Sequence, residues 1–181
     1  VERIAEHPAV VGVSFVGSSE IAEVVYKLVT GNAKRCQAQG GAKNHLVVTD
    51  TARLDECMEN IVSSMYGNAS QRCFAGSNVL VYDSVYDEFV EAFLTGVDAL
   101  RLGNPLDPAT TLGPVISAAA RDRFIAAVDD ARAAGARVIR DGRGATVEGC
   151  EGGFWLGATL LEADRQAPIF RDELFGPVRC I

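Results

Sequence analysis

The chain has 181 residues, of which 48% are hydrophobic and 23% are charged, and its formal net charge is −7. This length suits one domain or slightly more, and the apolar fraction allows a sizeable core. The acidic balance argues against nucleic acid or an anionic membrane as a partner, since both need basic patches. No apolar run approaches the roughly 20 residues of a membrane-spanning helix.

The cysteines and histidines argue against a metal centre and against a disulfide framework. There are five cysteines and two histidines, and no two cysteines form a Cys-x-x-Cys pair. An odd number of irregularly spaced cysteines fits reduced thiols better than zinc ligands or disulfides. We therefore expect a protein of the cytoplasm, or of the mitochondrial matrix in a eukaryote, with no bound metal.

Strands and helices alternate in the first part of the chain. A β-branched run at residues 9–16 predicts a buried strand, and a turn at 17–20 leads into a helix that ends at Gly31-Asn32. Residues 45–49 predict the next strand and residues 53–66 the next helix. The first helix repeats apolar residues at helical spacing, which predicts a buried face of Ile21, Val24, Val25, Leu28 and Val29.

Capping signals predict where two of the following helices begin. Asp50 or Thr51 is expected to cap the helix over 53–66. Ser84-x-x-Asp87 fits a capping box that follows a strand at 78–82.

The second part of the chain opens with a loop at residues 102–114, which contains three prolines and two glycines. Ser117 is expected to cap a long alanine-rich helix behind that loop. Further strands are predicted at 136–140, 158–161 and 178–181. This alternation predicts an α/β fold, a three-layer αβα arrangement of a mostly parallel sheet with helices on both faces.

Cys73 is the candidate nucleophile. It follows the polar run Ser70-Gln71-Arg72 in a turn-like segment, and Arg72 can help to hold the thiol as the reactive thiolate. A cysteine without such a setting is usually a buried and inert side chain. We interpret the other four in that way: Cys36, Cys57, Cys150 and Cys180.

Four segments in this order resemble the aldehyde dehydrogenase family. They are Phe15-Val16-Gly17-Ser18, Gly40-Gly41-Ala42-Lys43-Asn44-His45, Ser70-Gln71-Arg72-Cys73 and Asp172-Glu173-Leu174-Phe175-Gly176-Pro177. The resemblance implies that Cys73 adds to an aldehyde carbon and that its backbone N–H, with an asparagine expected upstream of Val1, stabilises the oxyanion. The family usually has Gly at the position of Ser70.

The same resemblance implies NAD as cofactor. Gly17 and Ser18 match residues that lie beside the dinucleotide pyrophosphate, where free N–H groups and the helix dipole suit an anion. Glu173 matches a carboxylate that accepts hydrogen bonds from the nicotinamide-ribose hydroxyls, and Phe175 a side chain that lines the cofactor site.

Gln39 departs from most of the family. Aligned on Lys43, it stands where hydrolytic members carry a Glu general base, and an amide cannot take a proton at neutral pH. Methylmalonate-semialdehyde dehydrogenases lack this Glu, pass the acyl group to coenzyme A and carry Gly-Ala-Lys-Asn-His, as at residues 41–45 here. A thiol acceptor needs no strong base. The resemblance thus implies a CoA-acylating enzyme, in which Arg72 binds the substrate carboxylate.

Two alternatives stay open: a hydrolytic aldehyde dehydrogenase that uses another base, and an inactive domain that works through oligomer contacts.

We expect residues 1–39 to be the C-terminal end of a Rossmann-like NAD-binding domain. Residues 40–181 are expected to be a catalytic domain that is truncated at its C-terminal end. Such a piece would have negligible dehydrogenase activity alone. The full-length protein would act on a small aldehyde or semialdehyde and form a homo-oligomer.

Overall fold

The structure is a computed structural model that describes residues 1–181. It divides into two compact units, Val1–Ala42 and Lys43–Ile181. The assignment of the predicted segments, 1–39 to a cofactor domain and 40–181 to a catalytic domain, stays a prediction.

The first unit is a strand–helix–strand arrangement behind a short helix. It contains α1 Glu2–Glu6, β1 Gly12–Val16, α2 Ser19–Gly31 and β2 Arg35–Gln39. β1 and β2 are parallel, with Gly12 beside Arg35 and Val16 beside Gln39. The predicted buried face of α2 is wrong at Ile21 and Val24, which are exposed. The helix instead buries a narrower stripe of Ala22, Val25 and Val29.

The second unit is a five-stranded sheet with four helices. Its elements are β3 His45–Val48, α3 Leu54–Tyr66, β4 Asn78–Val81, α4 Tyr86–Asp98, α5 Ala118–Ala133, β5 Arg137–Arg140, β6 Thr159–Glu162, α6 Pro168–Arg171 and β7 Val178–Cys180. The strand order is β3-β4-β7-β6-β5, and only the β5–β6 pair is antiparallel. The predicted α/β class with a mostly parallel sheet is confirmed. None of the helices combines the length and apolarity that crossing a membrane needs.

Aromatic side chains of α3 and α4 form the centre of the second unit's core. Phe89 and Phe93 stack with ring centroids 5.4 Å apart, and Tyr66 packs against Phe93. The buried hydroxyl of Tyr66 donates to the carbonyl of Thr159 at 2.9 Å. This bond joins the last residue of α3 to the first residue of β6. It therefore fixes the position of the helix end from which the next loop starts.

Helix capping follows the sequence prediction at one of three positions in this unit. Ser117 Oγ accepts from the backbone N–H of Ala120 at 3.1 Å, as predicted. The predictions of a cap at Asp50 or Thr51 and of a capping box at Ser84 are wrong. α3 starts after Arg53 without a side-chain cap, and the hydroxyl of Thr51 bonds to that of Thr49 instead. A 3₁₀ turn at Asp83–Val85 moves the start of α4 beyond reach of Ser84.

Replacing the true cap and the false one should have different effects. We expect Ser117→Ala to lower the free energy of unfolding by about 1 kcal/mol, since it leaves a helix N–H without its acceptor. Ser84→Ala is the matched control and should change it by less than about 0.5 kcal/mol. Urea unfolding followed by circular dichroism measures both. Equal losses in the two variants would contradict the assignment.

Candidate active site

Cys73 lies on an exposed loop between α3 and β4. The side-chain amide of Asn44 donates to the carbonyl of Cys73 at 2.8 Å and to that of Ala75 at 3.0 Å. Gln71 holds the other side of the loop, where its amide donates to the carbonyl of Pro114 and accepts from the N–H of Ile116. The loop is therefore fixed by side chains on both sides of the cysteine, although the thiol itself is open to solvent.

A cleft of about 630 Å³ opens beside Cys73. Arg72 and Cys73 line it together with Phe74, whose ring is 92% exposed. The guanidinium of Arg72 lies over Gly67 and donates to the carbonyl of Ser63. Its other N–H groups make no hydrogen bond within the chain and can meet an anion in the same cleft as the thiol.

Polar side chains of α3 complete this cleft. They belong to Asn60, Ser63 and Ser64. The cleft therefore combines an apolar ring, small polar groups and one cation, which suits a small molecule that carries both a carbonyl and a carboxylate.

The segment with Glu173 and Phe175 lies just after α6, and Lys43 holds its start. The ammonium of Lys43 donates to the carbonyls of Ile169 and Asp172 at 2.9 and 2.8 Å. Burial lowers the pKa of Lys43, but these acceptors at the end of α6 favour its charged form. Lys43 and its neighbour Asn44 thus position two segments that are far apart in sequence.

The side chains of this segment alternate between the core and the surface. Leu174 is buried, whereas Glu173 and Phe175 are exposed, Phe175 at 39%. Phe175 has a φ of 55°, a left-handed conformation that non-glycine residues rarely adopt. Gly176 is required for a different reason, because a Cβ there would lie 2.4 Å from the ring of Phe124. A Phe with only a structural role would bury its side chain in the core, whereas Phe175 is exposed.

Gly17, Ser18 and Gln39 meet in the first unit, where the parallel strands β1 and β2 end. The N–H of Gly17 donates to the carbonyl of Gln39 at 3.1 Å. Ser18 caps α2, and its Oγ accepts from the N–H of Ile21. Gly40 passes so close to Ser19 that a Cβ would lie 2.9 Å from the Cα of Ser19. The start of this 13-residue helix fits an anion such as a pyrophosphate.

Comparison with known proteins identifies the family of the chain. The sequence model of the aldehyde dehydrogenase family matches residues 1–181. The chain belongs to the aldehyde dehydrogenase family. The predicted resemblance is therefore confirmed.

Two curated members of the family are similar over the whole chain. Malonate-semialdehyde dehydrogenase 2 of Bacillus anthracis is 39% identical over 183 residues, and malonate-semialdehyde dehydrogenase of Pseudomonas aeruginosa is 39% identical over 185. Each alignment covers 100% of this chain and 37% of the relative. The chain thus spans a little over a third of the length of these aldehyde dehydrogenases.

Solved aldehyde dehydrogenase structures share the fold. Methylmalonate-semialdehyde dehydrogenase from Oceanimonas doudoroffii is 34% identical with a TM-score of 0.93, covering 98% of this chain and 37% of that one. Betaine aldehyde dehydrogenase from Staphylococcus aureus, in complex with NAD⁺, is 30% identical with a TM-score of 0.92, covering 99% and 36%. The roles of the individual site residues stay predictions, since these likenesses concern the chain as a whole.

Lys43 and Asn44 belong to a motif that the sequence analysis recognised, but neither was predicted to have a structural role. It also missed the contacts of Gln71 with residues 114–116. The available signal was the polar pair Lys43-Asn44, which lies one residue after the two glycines of an otherwise irregular segment. Their partners are backbone carbonyls, which leave no trace in the sequence.

Exposure predicts which of the five thiols reacts first. Cys73 is exposed and Cys180 is buried, as predicted. The prediction of burial is wrong for Cys36, Cys57 and Cys150, which are only partly buried. We expect brief treatment of the folded chain with iodoacetamide to modify Cys73 before Cys57 or Cys150, as read by peptide mass spectrometry. Cys73→Ser should remove the fast phase and leave the slower modifications unchanged. Earlier labelling of Cys57 or Cys150 would show that the loop does not present its thiol as described.

Proposed function

We propose that this chain carries the nucleophile of an NAD-dependent, CoA-acylating semialdehyde dehydrogenase. The observation that carries the proposal is the cleft in which the exposed Cys73 lies next to Arg72. The names of the similar proteins, malonate- and methylmalonate-semialdehyde dehydrogenase, support a substrate with an aldehyde and a carboxylate.

Cys73 would form the covalent bond to substrate. Its thiol loses a proton to solvent, and the thiolate adds to the aldehyde carbon, which turns the carbonyl oxygen into an oxyanion. The backbone N–H of Cys73 donates no hydrogen bond within the chain, so it is free to donate to that oxygen. Asn44 and Gln71 limit the movement of the loop during this step.

Arg72 would orient the substrate. A guanidinium can bind a carboxylate through two parallel hydrogen bonds, and Arg72 lines the same cleft as the thiol. Binding the carboxylate at Arg72 would hold the aldehyde end of a short semialdehyde near Cys73.

Each unit contains candidate contacts for NAD. When bound, NAD would supply a hydride acceptor for oxidation of the aldehyde. Gly17 and Ser18 offer the helix start that favours a pyrophosphate, and the exposed carboxylate of Glu173 can accept hydrogen bonds from ribose hydroxyls. The exposed ring of Phe175 offers an apolar face for the nicotinamide end.

Release of the acyl group would depend on coenzyme A. Gln39 has no proton-accepting group with which to activate water. The thiolate of coenzyme A attacks the thioester carbon and Cys73 leaves as thiolate, so one carbon–sulfur bond forms as another breaks. With a malonate-type substrate, the bond between the α carbon and the carboxylate breaks, carbon dioxide leaves, and the resulting thioester enolate takes a proton from solvent.

The identity of residue 39 should decide which nucleophile releases the product. We expect the protein as its gene encodes it to need coenzyme A for rapid turnover of the semialdehyde with NAD. Gln39→Glu should raise formation of free acid without coenzyme A by about 10²-fold or more, because it supplies a general base. Stopped assays with separation of acid from acyl-CoA measure both. Free acid formed at full rate by the unchanged protein without coenzyme A would favour the hydrolytic alternative.

The role of Arg72 can be tested without changing Arg72. A Cβ at Gly67 would lie 2.1 Å from Nη2 of Arg72, so Gly67→Ala should push the guanidinium aside. We expect KM for a semialdehyde carboxylate to rise about tenfold or more, the scale of one charged hydrogen bond. KM for an uncharged aldehyde of equal length should stay unchanged.

Gly31→Ala is the matched control, since a Cβ there meets no atom within 4 Å. An equal rise in KM for the charged and uncharged substrates of Gly67→Ala would contradict the role of Arg72.

A further inference from the structure

Arg179 is a buried cation without a carboxylate partner. It lies in β7, is 2% exposed and belongs to none of the ion pairs of the chain. Burial lowers its pKa to about 10, so the guanidinium stays charged at neutral pH. A buried charge without a partner lowers the stability of the fold, so other groups must stabilise this guanidinium.

The partners of Arg179 lie at the end of α3 and in the turn behind it. Nε donates to the carbonyl of Met65 at 2.9 Å and to Ser70 Oγ at 3.2 Å, and Nη2 donates to the carbonyl of Ser70 at 3.2 Å. The carbonyl of Met65 belongs to the last turn of α3, the negative end of the helix dipole. That helix end takes the place of a counter-ion.

The turn that Arg179 holds has an unusual backbone. Asn68, Ala69 and Ser70 have φ angles of 55°, 49° and 61°, so three consecutive non-glycine residues are left-handed. This conformation is costly for residues with a Cβ and ordinary for glycine. Ser70 is bonded at both its hydroxyl and its carbonyl, and its Oγ also donates to the carbonyl of Met65 at 2.5 Å.

We propose that Arg179 is a positioning residue for Cys73, because it holds a serine in a left-handed conformation and so fixes the direction in which the loop leaves α3. The importance of that direction rests on the proposed nucleophilic role of Cys73. The proposal also explains how the turn accommodates a serine in a conformation that is ordinary only for glycine. Ser70 and Arg179 are then a coupled pair, and the need for Arg179 arises from the side chain at position 70.

The first test is hydrogen–deuterium exchange of the 181-residue chain, which does not depend on catalysis. Arg179→Met keeps an apolar side chain of similar length in the sheet. We expect exchange in residues 68–75 to rise about tenfold or more, the scale of losing a charged hydrogen bond, with α5 unchanged. The control Val128→Ala weakens the core in α5 and should leave exchange in residues 68–75 unchanged. Equal changes in the two variants would overturn the proposal.

The second test is rescue in the protein as its gene encodes it. Arg179→Met should lower kcat for aldehyde oxidation about tenfold with KM for NAD unchanged, and Ser70→Gly/Arg179→Met should recover most of that loss. Failure of the rescue would overturn the coupling. If the unchanged protein oxidises no aldehyde, the proposed function fails, and the exchange experiment still decides the role of Arg179.

The double variant also covers the case in which Arg179→Met does not fold. A folded Ser70→Gly/Arg179→Met would support the proposal, because glycine adopts the left-handed conformation without the steric cost that Arg179 offsets at serine. A double variant that is equally unfolded would overturn it, since Arg179 would then serve the sheet and not Ser70.

Discussion

The contacts of Lys43 and Asn44 are the constraint on which the candidate site of the second unit depends. The two residues are neighbours in the chain, and they donate to carbonyls of two different segments. Asn44 holds the loop of Cys73, and Lys43 holds the turn before Glu173, 129 residues further along the chain. The neutral amide of Asn44 and the partly buried ammonium of Lys43 therefore connect the candidate nucleophile loop and the candidate cofactor segment to one short stretch before β3. Either segment alone is an irregular connection with little apolar burial of its own.

Both of these segments contain backbone conformations that side chains disfavour. Ser70 precedes Cys73 by three residues and is left-handed, and Phe175 itself is left-handed two residues after Glu173. Such conformations persist only where neighbouring contacts hold them, and they concentrate at functional sites. Here the contacts are the guanidinium of Arg179 on Ser70 and that of Arg123 on the carbonyl of Leu174. A disfavoured backbone conformation and the contact that supports it thus occur together close to both Cys73 and Glu173.

The sequence predicted the helices and strands of the second unit well and the first unit less well. Apolar side chains at helical spacing located α3 and α4, and the Ser117 cap before an alanine-rich run located α5. Short strand-like runs located β3, β4 and β7, because these elements bury a regular face in one core. It missed β2, whose residues Arg35–Gln39 are alternately exposed and only partly buried. That strand forms by backbone pairing with β1, and its side chains carry little apolar signal. The predicted caps of α3 and α4 are wrong because of local contacts. Thr51 bonds to Thr49 and does not cap α3, and a turn of 3₁₀ helix separates Ser84 from the start of α4.

The amino-acid sequence by itself determined the family and the α/β class. It also predicted the candidate site residues, which are Cys73, Arg72, Glu173, Phe175, Gly17, Ser18 and Gln39. Tertiary structure alone decided that Phe175 faces outward, that Arg72 shares a cleft with Cys73, and that Arg179 is buried against the end of α3. The physical reason is the nature of the partners. Lys43, Asn44 and Arg179 all bind backbone carbonyls, which are alike in every residue, so only the folded chain shows which of them meet a given donor.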